Sequence, residues 1–142
     1  MKKSLFIVLG IFLIIISSLT YFYYTYMKIN LVASKINKEY EKYTQNTIIG
    51  SSLISLINKS IDKNEKNEVE KDSNNRYIEN DENSIKIQIK FLESDKLYDM
   101  EAVSALGSES FVKNYNNMNF NCTKKEYHKK TKQIKYMLFE QI

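Results

Sequence analysis

An uncharged apolar run near the start of the chain limits what the rest can fold into. It extends from Ser4 to Met27, directly after Lys2 and Lys3. As a helix with a rise of about 1.5 Å per residue it would be roughly 36 Å long, enough to cross a hydrocarbon core of about 30 Å. Four tyrosines within residues 21–26 are typical of an aromatic belt at the membrane interface. We therefore expect a transmembrane anchor over residues 1–27.

A cleaved signal peptide is the alternative interpretation of this run. It would need a basic start, an apolar core and a small-residue cleavage site. The only small pair is Ser17-Ser18, no A-x-A pattern follows it, and the apolar run continues beyond. An uncleaved anchor therefore fits better. The short basic flank directly against the span predicts a cytoplasmic N-terminus, with the remainder of the chain outside the cell membrane.

The segment after the anchor has the pattern of amphipathic helix. Its apolar residues recur at steps of three and four, as in a helix with one apolar stripe. They are Ile29, Val32, Ile36, Tyr40 and Tyr43. The pattern slips near residues 45–47 and resumes after Gly50, where Ser51 or Ser52 could cap a helix that continues to Ile61. We predict a helical extension over residues 28–61, packed either on the sheet of its own domain or against neighbouring subunits.

Residues 62–83 form a break in composition. They include eight acidic and four basic residues, and few apolar ones. Such a stretch cannot bury enough apolar surface to offset the entropy lost on ordering, which predicts a polar mobile loop. The loop has no glycine and lacks the spacing of a calcium-binding loop, so we predict no metal site in it.

The clearest strand is Ser84–Leu92, in which isoleucine and phenylalanine alternate with polar residues. A turn at Ser94-Asp95 would place Phe91 opposite Tyr98 in a short returning strand. Asp99 then suits a helix N-cap, Gly107 a helix end, and Ser108 the start of a further turn.

Two longer strands, Phe120–His128 and Gln133–Gln141, are predicted to form a hairpin at the end of the chain. The expected fold is α+β: a long N-terminal helix packed on a small antiparallel sheet of about four strands, with one short helix inserted. In this scheme residues 84–142 form the small antiparallel α+β domain.

The hairpin is basic. From Lys113 to Lys135 there are seven lysines and one acid, Glu126. Contact with a protein partner or a polyanion is assigned to five of these lysines: Lys124, Lys125, Lys129, Lys130 and Lys132. The alternative is a solvated sheet edge on which lysine discourages aggregation. Nucleic acid is an unlikely partner because Arg76 is the only arginine available for bidentate contacts.

Few residues are candidates for a catalytic or ligand-binding role. Cys122 and His128 lie on one face of the predicted strand but about 20 Å apart, too far for a nucleophile and its base. We interpret Cys122 as a small buried residue and His128 as a surface residue at the strand end. No motif indicates a catalytic residue, a metal site or a cofactor, so we expect a protein that is not an enzyme.

The order of apolar helix, amphipathic extension, polar loop and antiparallel sheet resembles type IV pilins and the pseudopilins of secretion systems. The prepilin processing motif is not matched, because the residue five positions after Gly10 is Ile15 and not glutamate. The resemblance therefore implies architecture and no functional residue. It implies a bacterial, single-pass, membrane-anchored protein with protein partners in a cell-envelope complex, minor pilin-like in role, and a homo-oligomer is possible. The alternative function is a polyanion- or nucleic-acid-binding module at the membrane surface.

Overall fold

The computed structural model describes residues 2–142, so Met1 of the predicted anchor lies outside the described residues. Four helices and five strands make up the described chain. In order they are α1 (Lys2–Thr44), β1 (Ile48–Ile49), α2 (Gly50–Lys66), β2 (Lys86–Lys90), β3 (Leu97–Asp99), α3 (Met100–Ala105), α4 (Ser108–Tyr115), β4 (Asn119–Tyr127) and β5 (Ile134–Gln141). The predicted α+β class is confirmed.

The strands form one mixed sheet in the order β1-β4-β5-β2-β3. All neighbours are antiparallel except β2 and β5, which run parallel in the middle of the sheet. The sheet has one more strand than expected and is not purely antiparallel. The reason lies in α3 and α4, which connect the β2–β3 hairpin to the β4–β5 hairpin. Such a helical crossover lets two hairpins meet through parallel strands.

The register of the β2–β3 hairpin differs from the predicted one by two residues. Ile89 lies opposite Tyr98 and Lys90 opposite Leu97, so the connecting loop is longer than a turn at Ser94-Asp95. The Phe91 and Tyr98 rings still meet edge to face, with centroids 5.4 Å apart. They do so as diagonal neighbours, which long aromatic side chains can reach.

The predicted extension over residues 28–61 is two helices and not one. The chain leaves α1 at Thr44 and forms the short strand β1 before α2 starts. Neither Ser51 nor Ser52 is the N-cap: α2 starts at Gly50, with Ile49 at the N-cap position. Helix α2 also continues through residues 62–66, which were assigned to the loop, because its buried face extends to Asn64.

The core lies between the sheet and α2, with α3 and α4 closing its side. It is formed by the buried face of α2, inward residues of β2, β4 and β5, two residues of α3 and one of α4. The largest fully buried side chains include Tyr40, Phe111, Phe120, Phe139, Leu53, Leu56, Ile57, Ile87, Ile89, Met100 and Met137. The predicted packing of the amphipathic stripe on the domain's own sheet is therefore correct for α2 and for the end of α1.

The remainder of the polar loop, residues 67–83, is held by local hydrogen bonds. The Asp72 carboxylate accepts from the backbone N–H groups of Asn74 and Arg76. The Asn80 side chain accepts from the N–H groups of residues 82–84. Short polar side chains often form turns of this kind.

Candidate membrane anchor and basic hairpin

The first half of α1 exposes apolar side chains in every direction. Every large apolar residue from Leu5 to Met27 is exposed. The helix is long and apolar enough to cross a membrane, and none of its most apolar window is buried. The hydroxyls of Ser17, Ser18 and Thr20 donate to backbone carbonyls three or four residues earlier. A polar side chain in such a helix is thereby satisfied without water.

One side of the second half of α1 is covered by the domain, while Leu31 and Val32 remain exposed. At 100° per residue, Tyr26, Asn30, Ala33 and Asn37 lie on one side of the helix. Tyr26 is 63% exposed and Ala33 only 3%, and Ile29 and Asn30 between them are half-buried. The covered side of α1 therefore ends between Tyr26 and Ala33, close to the end of the apolar run at Met27.

Asn37 fastens the β4–β5 turn to this covered side. Its Nδ2 donates to the Lys132 carbonyl oxygen at 2.9 Å, and its Oδ1 accepts from the Ile134 N–H at 2.8 Å. The pair mimics the bonds of a neighbouring strand. In the sequence Asn37 is one of many asparagines, and no local pattern marks it as the partner of a distant turn.

Strand β4 runs back along α1 towards the anchor. Near its start, the Thr47 hydroxyl donates to Oδ1 of Asn121 at 2.7 Å. Further along, Nζ of Lys125 lies 3.4 Å from the Thr44 hydroxyl. The turn beyond β4 then reaches Asn37, seven residues earlier in α1 than Thr44. The β4–β5 turn is therefore at the anchor-proximal end of the domain.

The five lysines assigned to partner contact do not form one patch. The register places Lys124 opposite Leu138 and Lys125 opposite the buried Met137. Because a bulge between Cys122 and Lys124 shifts the alternation, Lys124 projects from the open face of the sheet and Lys125 from the helix side. The remaining three occupy the turn. They are Lys129, Lys130 and Lys132.

The Lys124 side chain contacts residues of its own sheet. Its Nζ lies 2.7 Å from the Glu126 carboxylate and 5.5 Å from the centroid of the Tyr136 ring. The hydrogen bond from Lys124 lowers the pKa of Glu126, and the same contact raises the pKa of Lys124. Both groups are exposed to water, which weakens such pairs. This part of the hairpin has the character of a solvated sheet face.

His128 is not the surface residue that was expected. It is 2% exposed, and its Nε2–H donates to the Ser84 carbonyl oxygen at 2.7 Å. Its backbone N–H also donates to the Gln133 carbonyl oxygen, which closes the turn. The prediction was wrong because the loop before β2 packs over the hairpin end, a contact between residues far apart in sequence.

Cys122 is half-buried, close to its expected position in the core. Burial raises the pKa of its thiol, and the neighbouring Lys125 only partly offsets this. The thiol donates to the Lys124 carbonyl oxygen at 3.5 Å. Such a thiol is a weak nucleophile at neutral pH.

Two open grooves lie on the surface of the described chain. One, at the junction of α1, β1 and β4, is lined by uncharged side chains and backbone of residues 44–47 and 121–123. Another has Arg76 beside Asp72 and Asp99, with nitrogen–oxygen distances of 3.1 and 3.8 Å. Within residues 2–142, no three potential metal ligands of the histidine, cysteine or carboxylate type come together.

Comparisons with known proteins do not add to this geometry. No protein-family model matches the chain, and no similar protein was found among curated proteins or among solved structures. The functional argument therefore depends on the anchor, the covered side of α1 and the hairpin.

Proposed function

We propose that this chain is a single-pass bacterial membrane protein whose α+β domain lies outside the cell and binds other proteins of a cell-envelope assembly, in the manner of a minor pilin. The observation that carries the proposal is the end of the covered side of α1 between Tyr26 and Ala33. A soluble domain would cover an apolar helix over its whole length, because exposed apolar surface is costly in water. Here the cover stops close to the end of the uncharged run.

The architecture supports a role in assembly. A single helix of 43 residues joins the apolar run to the domain without a break. The apolar half is exposed on all sides, so it can pack against the anchors of other subunits as well as against lipid. This arrangement is compatible with the architecture of the pilin-like resemblance.

A binding role without catalysis fits the remaining surface. The groove at β1 has no charged side chain, and the Arg76 groove holds charges that are paired with one another. Cys122 and His128 are both engaged with backbone carbonyls. An interaction surface needs only exposed side chains, and the open sheet face supplies them.

Topology is the experiment that tests this function. Ser73 lies exposed in the loop after α2, so a Ser73→Cys variant in a Cys122→Ser background gives a single accessible thiol. Intact cells are treated with a membrane-impermeant maleimide, and Lys3→Cys in the same background is the matched control. We expect Ser73→Cys to react in intact cells and Lys3→Cys only after lysis.

The opposite labelling pattern would place the domain in the cytoplasm and contradict the proposal. If both positions are labelled only after lysis and the protein is found in the soluble fraction, the anchor itself is contradicted. If the expected pattern is found, photo-crosslinking from the open sheet face then identifies neighbours. Capture of other envelope proteins or of further copies of this chain supports the assembly role.

A further inference from the structure

We propose that the β4–β5 turn is a lipid-contacting surface, which holds the domain against anionic phospholipid headgroups of the membrane that α1 spans. This proposal rests on the anchor of the proposed function. It goes beyond that function because it assigns a partner to the turn and an orientation to the domain.

The position of the turn is the first argument. Asn37, to which the turn is bonded, follows Met27 by ten residues, which is about 15 Å along the helix axis. The headgroup region extends roughly 5–7 Å beyond the hydrocarbon core on each side, and a lysine side chain spans about 6 Å. Ala33, four residues closer to the anchor than Asn37, is only 3% exposed, so the domain covers this side of α1 about 6 Å nearer the membrane boundary.

Charge is the second argument. Lys129 and Lys132 have no carboxylate within 4 Å among residues 2–142, and both are exposed. Lys130 lies 3.9 Å from Asp81, a weak pair in which both side chains are largely exposed. Asp81 and Glu82 therefore reduce the positive charge of this end without cancelling it. Clustered lysines beside a span are attracted to anionic lipid within about a Debye length.

Hydrogen bonds also fix the conformation of the turn. The Lys132 N–H donates to the His128 carbonyl oxygen, and the Thr131 hydroxyl donates to the Glu82 carbonyl oxygen. Lys132 itself has a φ of 59°, a conformation that the bonds around it hold in place. A preorganised turn loses little entropy when it meets a surface.

An exposed aromatic residue completes the surface. Tyr127, the last residue of β4, is 47% exposed directly before the turn. Tyrosine beside lysine is the combination that membrane proteins place at the headgroup level.

The test uses the full chain in lipid vesicles. The chain contains no tryptophan, so Tyr127→Trp introduces a single tryptophan at the turn that can be excited selectively over the tyrosines, and Tyr98→Trp provides a reference at the far end of the sheet. Vesicles contain phosphatidylcholine with a nitroxide on its headgroup, either alone or with about 30% phosphatidylglycerol. Flotation of the vesicles first establishes whether the chain is inserted.

We expect stronger nitroxide quenching of the Tyr127→Trp variant in the anionic vesicles than in the neutral ones, and little quenching of Tyr98→Trp. Raising the salt concentration from about 0.1 to 1 M shortens the Debye length from about 10 to 3 Å and should remove roughly half or more of the difference. Combining Lys129→Gln, Lys130→Gln and Lys132→Gln should also remove it. The matched control combines Lys90→Gln, Lys96→Gln and Lys113→Gln, which make the same charge change away from the turn. It should leave the difference in quenching unchanged.

Each other outcome overturns the proposal. If the chain fails to float, both the anchor and the lipid contact are contradicted. If it floats but quenching is independent of phosphatidylglycerol, or falls equally in the control variant, only the lipid contact is contradicted. If a short DNA duplex shifts the fluorescence of Tyr127→Trp while anionic lipid does not, the turn is a nucleic-acid surface instead.

Discussion

Asn64 and Ile85 are joined by two hydrogen bonds that reproduce the pairing of adjacent strands. Nδ2 of Asn64 donates to the Ile85 carbonyl oxygen at 2.7 Å, and its Oδ1 accepts from the Ile85 N–H at 2.8 Å. The Asn64 side chain is fully buried. It satisfies the backbone just before β2 and ties the last turns of α2 to the sheet.

Replacing Asn64 should destabilise the domain strongly. Asn64→Ala leaves a buried N–H and a buried carbonyl of Ile85 without partners, which we expect to cost about 2–4 kcal/mol. Asn58→Ala, on the same helix, removes only an exposed contact with Ser108 and serves as control. Thermal unfolding of the full chain in detergent, followed by near-ultraviolet circular dichroism, measures both. Equal melting temperatures for the two variants would contradict the role of Asn64.

Gly50 should tolerate no side chain. A Cβ at this position would overlap the Tyr115 carbonyl oxygen, where α2 starts against the end of α4. Because the obstacle is backbone, the overlap cannot be relieved by a rotamer change, and we expect Gly50→Ala to cost about 3 kcal/mol. Gly10→Ala is the matched control, since no atom lies within 4 Å of its Cβ. The same unfolding measurement applies, and a stable Gly50→Ala variant would contradict the close approach of α2 and α4.

Tyr40 should make the domain sensitive to alkali. Burial raises the pKa of its hydroxyl to about 12 from the usual 10.0, and Ser60 offsets only part of this rise. The hydroxyl has no hydrogen-bond partner among the described residues, and the nearby Ser60 hydroxyl donates to the Leu56 carbonyl oxygen instead. The folded state therefore holds its proton while the unfolded state loses it.

Stability from this group is complete below about pH 10 and is lost as the pH rises towards 12, by about 2–3 kcal/mol. Tyr40→Phe should unfold less readily in this range and should be neutral or slightly stabilising at pH 7, because it removes a buried unpaired hydroxyl. Tyr127→Phe, which removes an exposed hydroxyl, is the control. Identical alkaline denaturation of the wild type and Tyr40→Phe would show that Tyr40 is not responsible.

Cys122 should react slowly with maleimides. Its thiol is half-buried and its raised pKa keeps it protonated at pH 7, so we expect labelling at least about tenfold slower than at the exposed Ser73→Cys thiol. The two rates should converge in denaturant, where the difference in burial is gone. Rates that are already equal in the folded chain would contradict the burial of Cys122.

The sequence patterns that predicted the fold correctly were local ones. Alternation in Ser84–Leu92 marked β2, since a strand with one wet face shows a period of two. The basic turn between two strands marked the β4–β5 hairpin. Gly107 has a φ of 84° just after α3, which is the helix-ending position expected of it.

The features that were not predictable depend on contacts between distant residues. Strand β1 has two residues, too few to show a period, and exists because it pairs with β4. The burial of His128 depends on the Ser84 carbonyl oxygen. The abundance of asparagine reads as compositional bias in the sequence, yet Asn37, Asn64 and Asn80 each satisfy backbone groups of another segment or turn. Only their partners distinguish these asparagines from the exposed ones.

The uninterrupted course of α1 across the boundary between Tyr26 and Ala33 has a mechanical consequence. Anchor and domain share one shaft of about 65 Å, with no hinge between them. Any tilt of the shaft swings the domain through the same angle, and a rotation of the shaft by one residue turns the open sheet face by about 100°. Lipid or neighbouring helices that set the tilt and rotation of the anchor in the bilayer therefore also set the orientation of the domain.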